Sequence, residues 1–505
     1  MPADLFLQPV LVTGASGFVG KALVRKLTDD GYRVTAVSRH QEAAMHCHCY
    51  QVERYDDSVQ FMTAHSCIVH LAARVHVMSD KADDPLSAFR AANVDLTLSL
   101  ARHAAAAGVR RFIFLSSIKV NGEETLPGHA FGADDDCAPH DSYAISKMEA
   151  EQGLRKIAAE TGMEVVIIRP PLVYGPGVRA NFAALMHAVA RGLPLPLGRI
   201  DNLRSLIALD NLLDFIVACI EHPGAANQTF VVSDGDDLST PELIRRMARA
   251  VRKPARLIPV PLWMLTTGAA LLGKQDKLQR LCGNLQIDIS KTRELMGWKP
   301  PFSVDECLRH TAAAVIASMS KRIFDIALAL IAGMILLLPM LATALIVKLT
   351  SRGPILYWSE RVGRHNCLFK MPKFRSMRVG TPAVATHLLS NPHVYLTPVG
   401  RFLRKSSLDE LPQLWCILKG DMSFVGPRPA LFNQYDLMAL RTRYGADGLV
   451  PGLTGWAQIN GRDELPIPQK VALDVEYLRR RSFWFDLKII VLTAIKVARH
   501  ESVSH

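Results

Sequence analysis

The 505-residue chain lacks most of what would export it, staple it or lay it along nucleic acid. Its start, Met1-Pro2-Ala3-Asp4, has neither the basic n-region nor the apolar core of a signal peptide. That predicts a first domain that stays in the cytosol. The nine cysteines are odd in number and scattered, which argues against a disulfide framework and suits a reducing compartment. His46-Cys47-His48-Cys49 looks like a metal cluster only superficially, because no second ligand pair follows at finger spacing. No basic-aromatic nucleic-acid motif occurs, so no nucleic-acid partner is expected. Long hydrophobic runs are missing too, with one exception. Ile326 to Val347 is a 22-residue stretch without charge, with one hydroxyl and with Pro339 inside it. It is long enough to reach across the hydrocarbon core of a bilayer.

That stretch divides two regions of different charge. Residues 1–318 carry 34 Lys and Arg against 34 Asp and Glu; residues 319–505 carry 25 against 13. All of the net +12 therefore accompanies the apolar run. A basic surface beside a membrane segment points to anionic headgroups or to phosphate-bearing substrates.

The first region opens on a cofactor pattern. Pro9 to Thr13 reads as a buried strand, Gly14-Ala15-Ser16-Gly17-Phe18-Val19-Gly20 as a glycine turn, and Lys21 to Asp30 as a helix. Strand, turn and helix in that order let a pyrophosphate approach the backbone and the helix N-terminus. Arg33 to Arg39 should form the second strand. An NAD-preferring fold carries an acid at its end, on the ribose hydroxyl. Here Ser38 and Arg39 stand there, and a cation beside a hydroxyl suits the 2′-phosphate of NADP. NADP(H) is therefore expected, with NAD as the alternative. Further on, Tyr143-Ala144-Ile145-Ser146-Lys147 sets a phenol and an amine four residues apart on one helix face. A nearby ammonium is expected to favour the phenolate and lower the tyrosine pKa. Ser117, after the apolar run Phe112 to Leu115, could hydrogen-bond a substrate oxygen.

With these pieces in place, residues 1 to about 318 resemble an extended short-chain dehydrogenase/reductase of the nucleotide-sugar epimerase, dehydratase and reductase group. The matching residues include Gly14, Gly17, Phe18 and Gly20, His70-Leu71-Ala72-Ala73, Asn93, Ser116-Ser117, Tyr143 with Lys147, and Arg169-Pro170. Val173-Tyr174-Gly175-Pro176-Gly177, Asn181, and Arg204 before Leu209-Asp210-Asn211 continue the match. The resemblance implies a Rossmann-type doubly wound α/β fold. It implies Tyr143 as general acid/base, Lys147 orienting cofactor and tyrosine, and Ser117 on the sugar oxygen. Asn181 and Arg204 would lie near the UDP-sugar diphosphate. Ser303 and Glu306 read as a capping box opening a last helix. Two departures bear on the reaction. Asn121 stands where many epimerases have tyrosine, and the second-strand acid is missing. Both favour NADPH-dependent reduction of a UDP-4-keto-6-deoxy-N-acetylhexosamine over 4-epimerisation. The epimerase is the alternative, and a non-catalytic nucleotide-sensing domain a further one, which the intact Ser117, Tyr143 and Lys147 disfavour.

In the second region the informative string is Ser407-Leu408-Asp409-Glu410-Leu411-Pro412-Gln413. Its structural reading is a capping box, Ser407 with Glu410, in a first helical turn. Its surroundings favour chemistry instead. Arg401, Arg404 and Lys405 precede it, Arg361, Lys373 and Arg375 lie upstream, and Arg428 follows between Pro427 and Pro429. Arginine recognises phosphate oxygens bidentately. A divalent metal would let one anion attack another.

This region resembles the bacterial sugar transferase family, the monotopic phosphoglycosyl transferases. The match runs through Lys321-Arg322, Phe324-Asp325, Gly353-Pro354, Arg361, Gly363, Lys373 to Met377, Ser407 to Gln413 and Gly420 to Ser423. It closes on Gly426 to Pro429, Pro451-Gly452, Thr454-Gly455 and Gly461-Arg462. The resemblance implies that Asp409 attacks the β-phosphate of a UDP-sugar and expels UMP, forming a phosphosugar-aspartyl intermediate that passes to undecaprenyl phosphate. Glu410 would be the dyad partner and Mg²⁺ would bind at Asp409. Arg404, Arg428 and Arg462 would hold phosphates, with Arg375 added from the charge of the stretch. Covalent catalysis predicts ping-pong kinetics.

Together the readings give three domains: a nucleotide-sugar reductase/epimerase over 1–318, a membrane helix-break-helix over 319–352, and a transferase over 353–505. The whole would be a bifunctional enzyme of bacterial surface-glycan (O-antigen or exopolysaccharide) synthesis, and a homodimer is compatible with it. Both NADPH and UDP-sugars are cytosolic. Lys321 and Arg322 on one flank of the apolar run match Lys348 and Arg352 on the other, so no inside–outside asymmetry is present. A re-entrant helix, bent at Pro339 in the inner leaflet of the cytoplasmic membrane and touching its lipid, would keep both active sites on the cytoplasmic side. Leu338 precedes that proline, where family members often carry serine.

Overall fold

The computed structural model describes residues 7–38, 48–51, 62, 65–75, 84–178, 180–271, 273, 275–379, 381, 395–461 and 465–498. They pack as two compact units, the first ending at Ala317 and the second beginning at Ser318.

The first unit is built on seven parallel strands. In chain order these are β1 (Leu7–Thr13), β2 (Tyr32–Ser38), β3 (His48–Gln51), β4 (Cys67–His70), β5 (Arg111–Leu115), β6 (Glu164–Arg169) and β7 (Thr229–Val231). Their spatial order is β3-β2-β1-β4-β5-β6-β7. The order reverses between β1 and β4, where ligands bind in open α/β sheets. Apolar runs form the central strands, such as β4 and β5, because both of their faces are covered. Val10 and Val12 pack with Leu23 and Leu27 of helix α1 (Phe18–Asp29). Leu11, pointing the other way, packs with Phe112, and with Leu154 of helix α2 (Ser142–Thr161). Asp141 caps α2 through the Ala144 amide at 2.7 Å, and Gly162 ends it at a positive φ of 76°. The unit also carries a short apolar helix α3 (Leu262–Leu271). Of the His46 to Cys49 run, the first two residues lie outside the described ones and the last two belong to β3.

Helix α4 runs unbroken over Val304–Thr350, 47 residues. The expected capping box opens it: Ser303 N and Oγ donate to Glu306 Oε2 at 2.9 and 2.7 Å, and Glu306 N returns to Ser303 Oγ at 3.4 Å. The break expected at Pro339 does not interrupt the helix. Proline removes only one ladder bond, and the turns on either side stay helical.

In the second unit, β8 (Leu356–Val362) pairs antiparallel with β9 (Leu368–Phe374), and Ala430–Leu431 adds a short third strand. Helix α5 (Gly400–Lys405) leads into a 3₁₀ helix over Leu408–Gln413. Helix α6 (Phe483–Ala498) lies near the chain end. Both flanks of the apolar stretch of α4 pack on this unit. On the N-terminal flank, Lys321 pairs with Asp486 at 2.5 Å, Arg322 donates to the Ile417 and Leu418 carbonyls, and Asp325 accepts from Ser423 Oγ at 3.0 Å. Ala329 joins the unit's main core. On the C-terminal flank, Met340, Ala344 and Val347 pack with Phe374, Leu403, Leu408 and Leu411. Between these contacts Met334, Ile335 and Leu338 are exposed.

Candidate active sites

The glycine turn sits at the C-terminal end of β1, where the strand order reverses. Gly14 has a φ of +69°, and a Cβ there would lie 2.6 Å from the Ala72 amide nitrogen. A Cβ on Gly20 would lie 2.2 Å from the Gly14 carbonyl oxygen. Only glycine lets the turn close so tightly on β4 and α1. Gly17 stands at the N-cap of α1 with no capping side chain, the first turn holds no acid, and Phe18 is half-buried beside it. Those unclaimed amides at a positive helix end fit a pyrophosphate. The residues present therefore suit a dinucleotide. His70 bridges the crossover, bonded to Thr13 Oγ1 at 2.7 Å and Thr97 Oγ1 at 3.0 Å, and its burial lowers the imidazole to about 3. Of the pair that favoured NADP, Ser38 is buried at the end of β2 and Arg39 lies outside the described residues.

Ser117 caps a 3₁₀ turn directly after β5, its Oγ accepting from the Lys119 amide at 3.3 Å. Tyr143 and Lys147 occupy one face of α2. Lys147 Nζ donates to the Leu115 carbonyl at 2.9 Å and lies 4.3 Å over the Phe114 ring. The expected lowering of the tyrosine is not what forms. Burial lowers Lys147 to about 7 against the opposing pull of Glu151, and burial together with the Asp141 carboxylate raises Tyr143 to about 12. The ammonium is drawn to the end of β5 instead of the phenol. Tyr143 thus keeps its proton in this arrangement and lies edge-on to Phe89 at 6.2 Å. Asn181 is exposed in the first turn of the helix Ala180–Ala190, and Arg204 Nη1 donates to the Gly283 carbonyl at 2.8 Å.

Asn121, read above as a departure from the epimerase pattern, has a structural task. It is buried, its Oδ1 accepts from Arg169 Nη1 at 2.9 Å, and its Nδ2 donates to the Gly132 carbonyl at 2.9 Å. Arg169 in turn pairs with buried Glu151 at 2.6 Å, which also accepts from Ser116 Oγ at 2.5 Å. The network holds the segment carrying Ser117 against α2, so Asn121 gives no reason to prefer a reductase.

In the second unit Asp409 is buried on the 3₁₀ helix, packed against β9. Burial raises its carboxyl to about 6; Lys373 and Arg404 pull it down, while Glu410 pushes it up. Glu410 accepts from Lys373 Nζ at 2.7 Å and stands 3.8 Å from Arg428 Nη2. The capping box read from Ser407 and Glu410 is not formed. Ser407 sits in the left-handed region at φ 57° with no capping side chain, and the Glu410 carboxylate faces Lys373 instead. Arg361, Met371, Lys373, Glu410, Gln413 and Arg428 line one cleft. The loop holding Arg428 is pinned by Gly426, whose Cβ would meet the Val450 carbonyl oxygen at 2.2 Å. Lys373, absent from the expected site residues, thus pairs directly with Glu410 of the acidic pair; its place in the Lys373-Phe374-Arg375 run was the available signal.

Arg375 is not among these. It is buried and donates to Arg352 O at 2.6 Å, Ser351 O at 2.9 Å and Ser351 Oγ at 2.6 Å, closing the C-terminal end of α4. Carbonyls at a helix end attract a guanidinium as a phosphate does. Arg462 lies outside the described residues. Among the described residues no group of three His, Cys, Asp or Glu side chains gathers to hold a metal. Glu410 lines the cleft and Asp409 is buried next to it in sequence; carboxylates are the ligand type that suits Mg²⁺, which usually keeps waters and substrate phosphates as its other ligands.

Two family models match the chain: an NAD dependent epimerase/dehydratase family over residues 10–233, and a bacterial sugar transferase family over residues 316–500. Over 319 residues the chain is 48% identical to a UDP-glucose 4-epimerase of Vibrio cholerae, covering 62% of this chain and 97% of that relative. Over 187 residues it is 42% identical to the UDP-glucose:undecaprenyl-phosphate glucose-1-phosphate transferase of Xanthomonas campestris pv. campestris. That match covers 35% of this chain and 39% of the relative, so the chain spans about two fifths of that relative's length. Among solved structures, the UDP-glucose 4-epimerase of Thermotoga maritima with UDP-glucose aligns with a TM-score of 0.51 and 22% identity. It covers 62% of this chain and 99% of that one, a likeness of fold.

Proposed function

From a chain that belongs to the NAD dependent epimerase/dehydratase family in its first part and to the bacterial sugar transferase family in its last, we infer a two-step enzyme of lipid-linked sugar assembly. The first unit interconverts the C4 epimers of a UDP-hexose. The second transfers hexose-1-phosphate from the UDP-sugar to undecaprenyl phosphate and releases UMP. The 48% identity to an epimerase along almost that protein's whole length carries the first half of this reading. The structural task of Asn121 supports it by removing one argument for reduction. The buried Asp409 among Lys373, Arg404 and Glu410 carries the second half.

In the first unit Tyr143, as the phenolate that Lys147 stabilises, takes the O4 proton as C4 gives up its hydride. The 4-keto sugar turns in the site, hydride returns to the opposite face of C4, and the proton returns to O4. The glycine turn Gly14 to Gly20 would hold NAD, which would supply the hydride acceptor. Ser117 hydrogen-bonds the sugar oxygen, and Lys147, once its bond to Leu115 is exchanged for the phenol oxygen, stabilises the phenolate before it takes the proton and after it gives it back. Asn181 and Arg204 face the diphosphate.

In the second unit an Asp409 oxygen attacks the β-phosphorus. The bond from that phosphorus to the bridging oxygen breaks, and UMP leaves with that oxygen. An oxygen of undecaprenyl phosphate then attacks the same phosphorus and frees the carboxylate. Arg404, Arg428 and Arg462 hold phosphate oxygens, and Lys373 fixes Glu410 beside the nucleophile. Mg²⁺ bound at Asp409 would neutralise phosphate charge. The domain boundaries proposed are those at residues 318 and 352. Contact of both flanks of the apolar stretch with the same unit supports a segment that enters and leaves the bilayer on one face, bent at Pro339, with both active sites cytoplasmic.

The test incubates the purified chain with UDP-glucose and no reductant, and then with undecaprenyl phosphate and Mg²⁺. Formation of UDP-galactose, followed by UMP release only when lipid is present, is expected. Sugar conversion that needs NADPH and a 4-keto substrate would return the first unit to the reductase reading.

A further inference from the structure

The first unit carries a helix that its own core does not use. α3 reads Leu-Trp-Met-Leu-Thr-Thr-Gly-Ala-Ala-Leu, and none of its residues is buried. Leu262 is 51% exposed, Trp263 68%, Met264 49% and Leu271 84%. Its two hydroxyls turn inward: Thr266 Oγ1 and Thr267 Oγ1 both donate to the Trp263 carbonyl at 2.8 Å. Back-bonding of that kind leaves no outward donor to hold water, as suits a helix in apolar surroundings. Cations flank the helix in sequence, with Arg252, Lys253 and Arg256 before it and Lys274, Lys277 and Arg280 after it. Asp276 is the single acid between residues 252 and 280. Arg252, Lys253, Arg256 and Arg280 are exposed.

An exposed helix with no charged face, a tryptophan at one end and cations before and after it in sequence has the composition of an element that enters apolar surroundings at a membrane interface. Ten residues rise about 15 Å, half of what a span needs. We propose that α3 lies in the headgroup region of an anionic bilayer, giving the first unit a lipid contact of its own. This goes beyond the membrane reading of α4, which concerns the second unit. A second copy of the chain is the rival occupant. A two-fold contact through α3 would bring the same cationic flanks together, whereas anionic lipid neutralises them.

The full chain carrying Trp263→p-benzoylphenylalanine is placed in nanodiscs of phosphatidylcholine, alone or with phosphatidylglycerol, and irradiated. Parallel samples carry the photoreactive residue at Leu126, exposed in the same unit, or at Leu338 of α4. Retained epimerase turnover reports a folded first unit. A lipid adduct at position 263, several-fold greater with phosphatidylglycerol and absent at 126, supports the proposal. The triple variant Arg252→Gln, Lys253→Gln, Arg256→Gln should lower that adduct several-fold. Adducts at 338 without any at 263 overturn it and leave the α4 reading intact. Adducts at neither position overturn both. A chain-to-chain crosslink at 263 overturns it in favour of self-association.

Discussion

Lys373→Met should move the pH dependence of the transferase without any change to the nucleophile. Asp409 must be ionised to attack, and its carboxyl sits at about 6 because burial outweighs the pull of Lys373 and Arg404. At that value the carboxylate is about nine-tenths ionised at pH 7 and half ionised at pH 6. Methionine removes the ammonium and leaves Glu410 without its 2.7 Å partner. Both changes act in one direction: less attraction and more repulsion favour the protonated form. One cation at close range is worth about 1–3 units. The acid limb of kcat/KM for UMP release should therefore rise from about 6 to about 7 or above. The ionised fraction at pH 7 would fall to about half or less, and at pH 6 to about a tenth. Rates are read across the limb with the full chain in nanodiscs, and Lys370→Met, exposed on the same strand, serves as control. A lower plateau alone could reflect lost phosphate contact, so the midpoint decides. A limb that stays at about 6, or moves down, refutes the assignment of Lys373 as the cation that keeps Asp409 ionised.

Tyr143→Phe should abolish interconversion of UDP-glucose and UDP-galactose, followed by chromatography, while UMP release from supplied UDP-sugar persists. Asp409→Asn should do the reverse, and loss of both activities in either variant would argue against independent sites. Arg375→Met should lower stability to urea by about 3 kcal/mol, since it removes charged hydrogen bonds to Ser351 and Arg352. The KM for UDP-sugar should stay within about two-fold in that variant if the guanidinium serves the helix end and not the substrate. Ser407→Gly should raise stability to urea by up to about 1 kcal/mol, the cost of a left-handed non-glycine residue; a loss would mean that the serine hydroxyl holds the turn.

What could be read from the sequence was local. The glycine turn, its strand and helix, and the Ser303–Glu306 box lie within a few residues of one another, and their chemistry is settled by spacing. The readings that changed depended on partners far along the chain. Asn121 meets Arg169, 48 residues on, and that contact turned an apparent catalytic departure into a structural one. Glu410 leaves Ser407 for Lys373, 37 residues away, so a plausible capping box became an acidic pair beside a cation. Arg375 folds back on Ser351 and Arg352 although its charge alone suggested phosphate. The Tyr143–Lys147 spacing was right, but the carbonyl that ends β5 redirects the ammonium, which spacing on α2 could not reveal. Pro339 marked a break by type, yet the helical pattern closes over it.

If one chain changes a sugar at C4 and then loads it on a lipid, the changed sugar must appear on the lipid product. The purified chain receives UDP-glucose, undecaprenyl phosphate and Mg²⁺; the product is isolated, hydrolysed and analysed. A hexose-1-phosphate joined to undecaprenyl phosphate that contains galactose is expected, with the galactose lost in Tyr143→Phe and all product lost in Asp409→Asn. Glucose alone on the lipid in the unaltered chain, or a 6-deoxy sugar made only with NADPH and a 4-keto precursor, would contradict it.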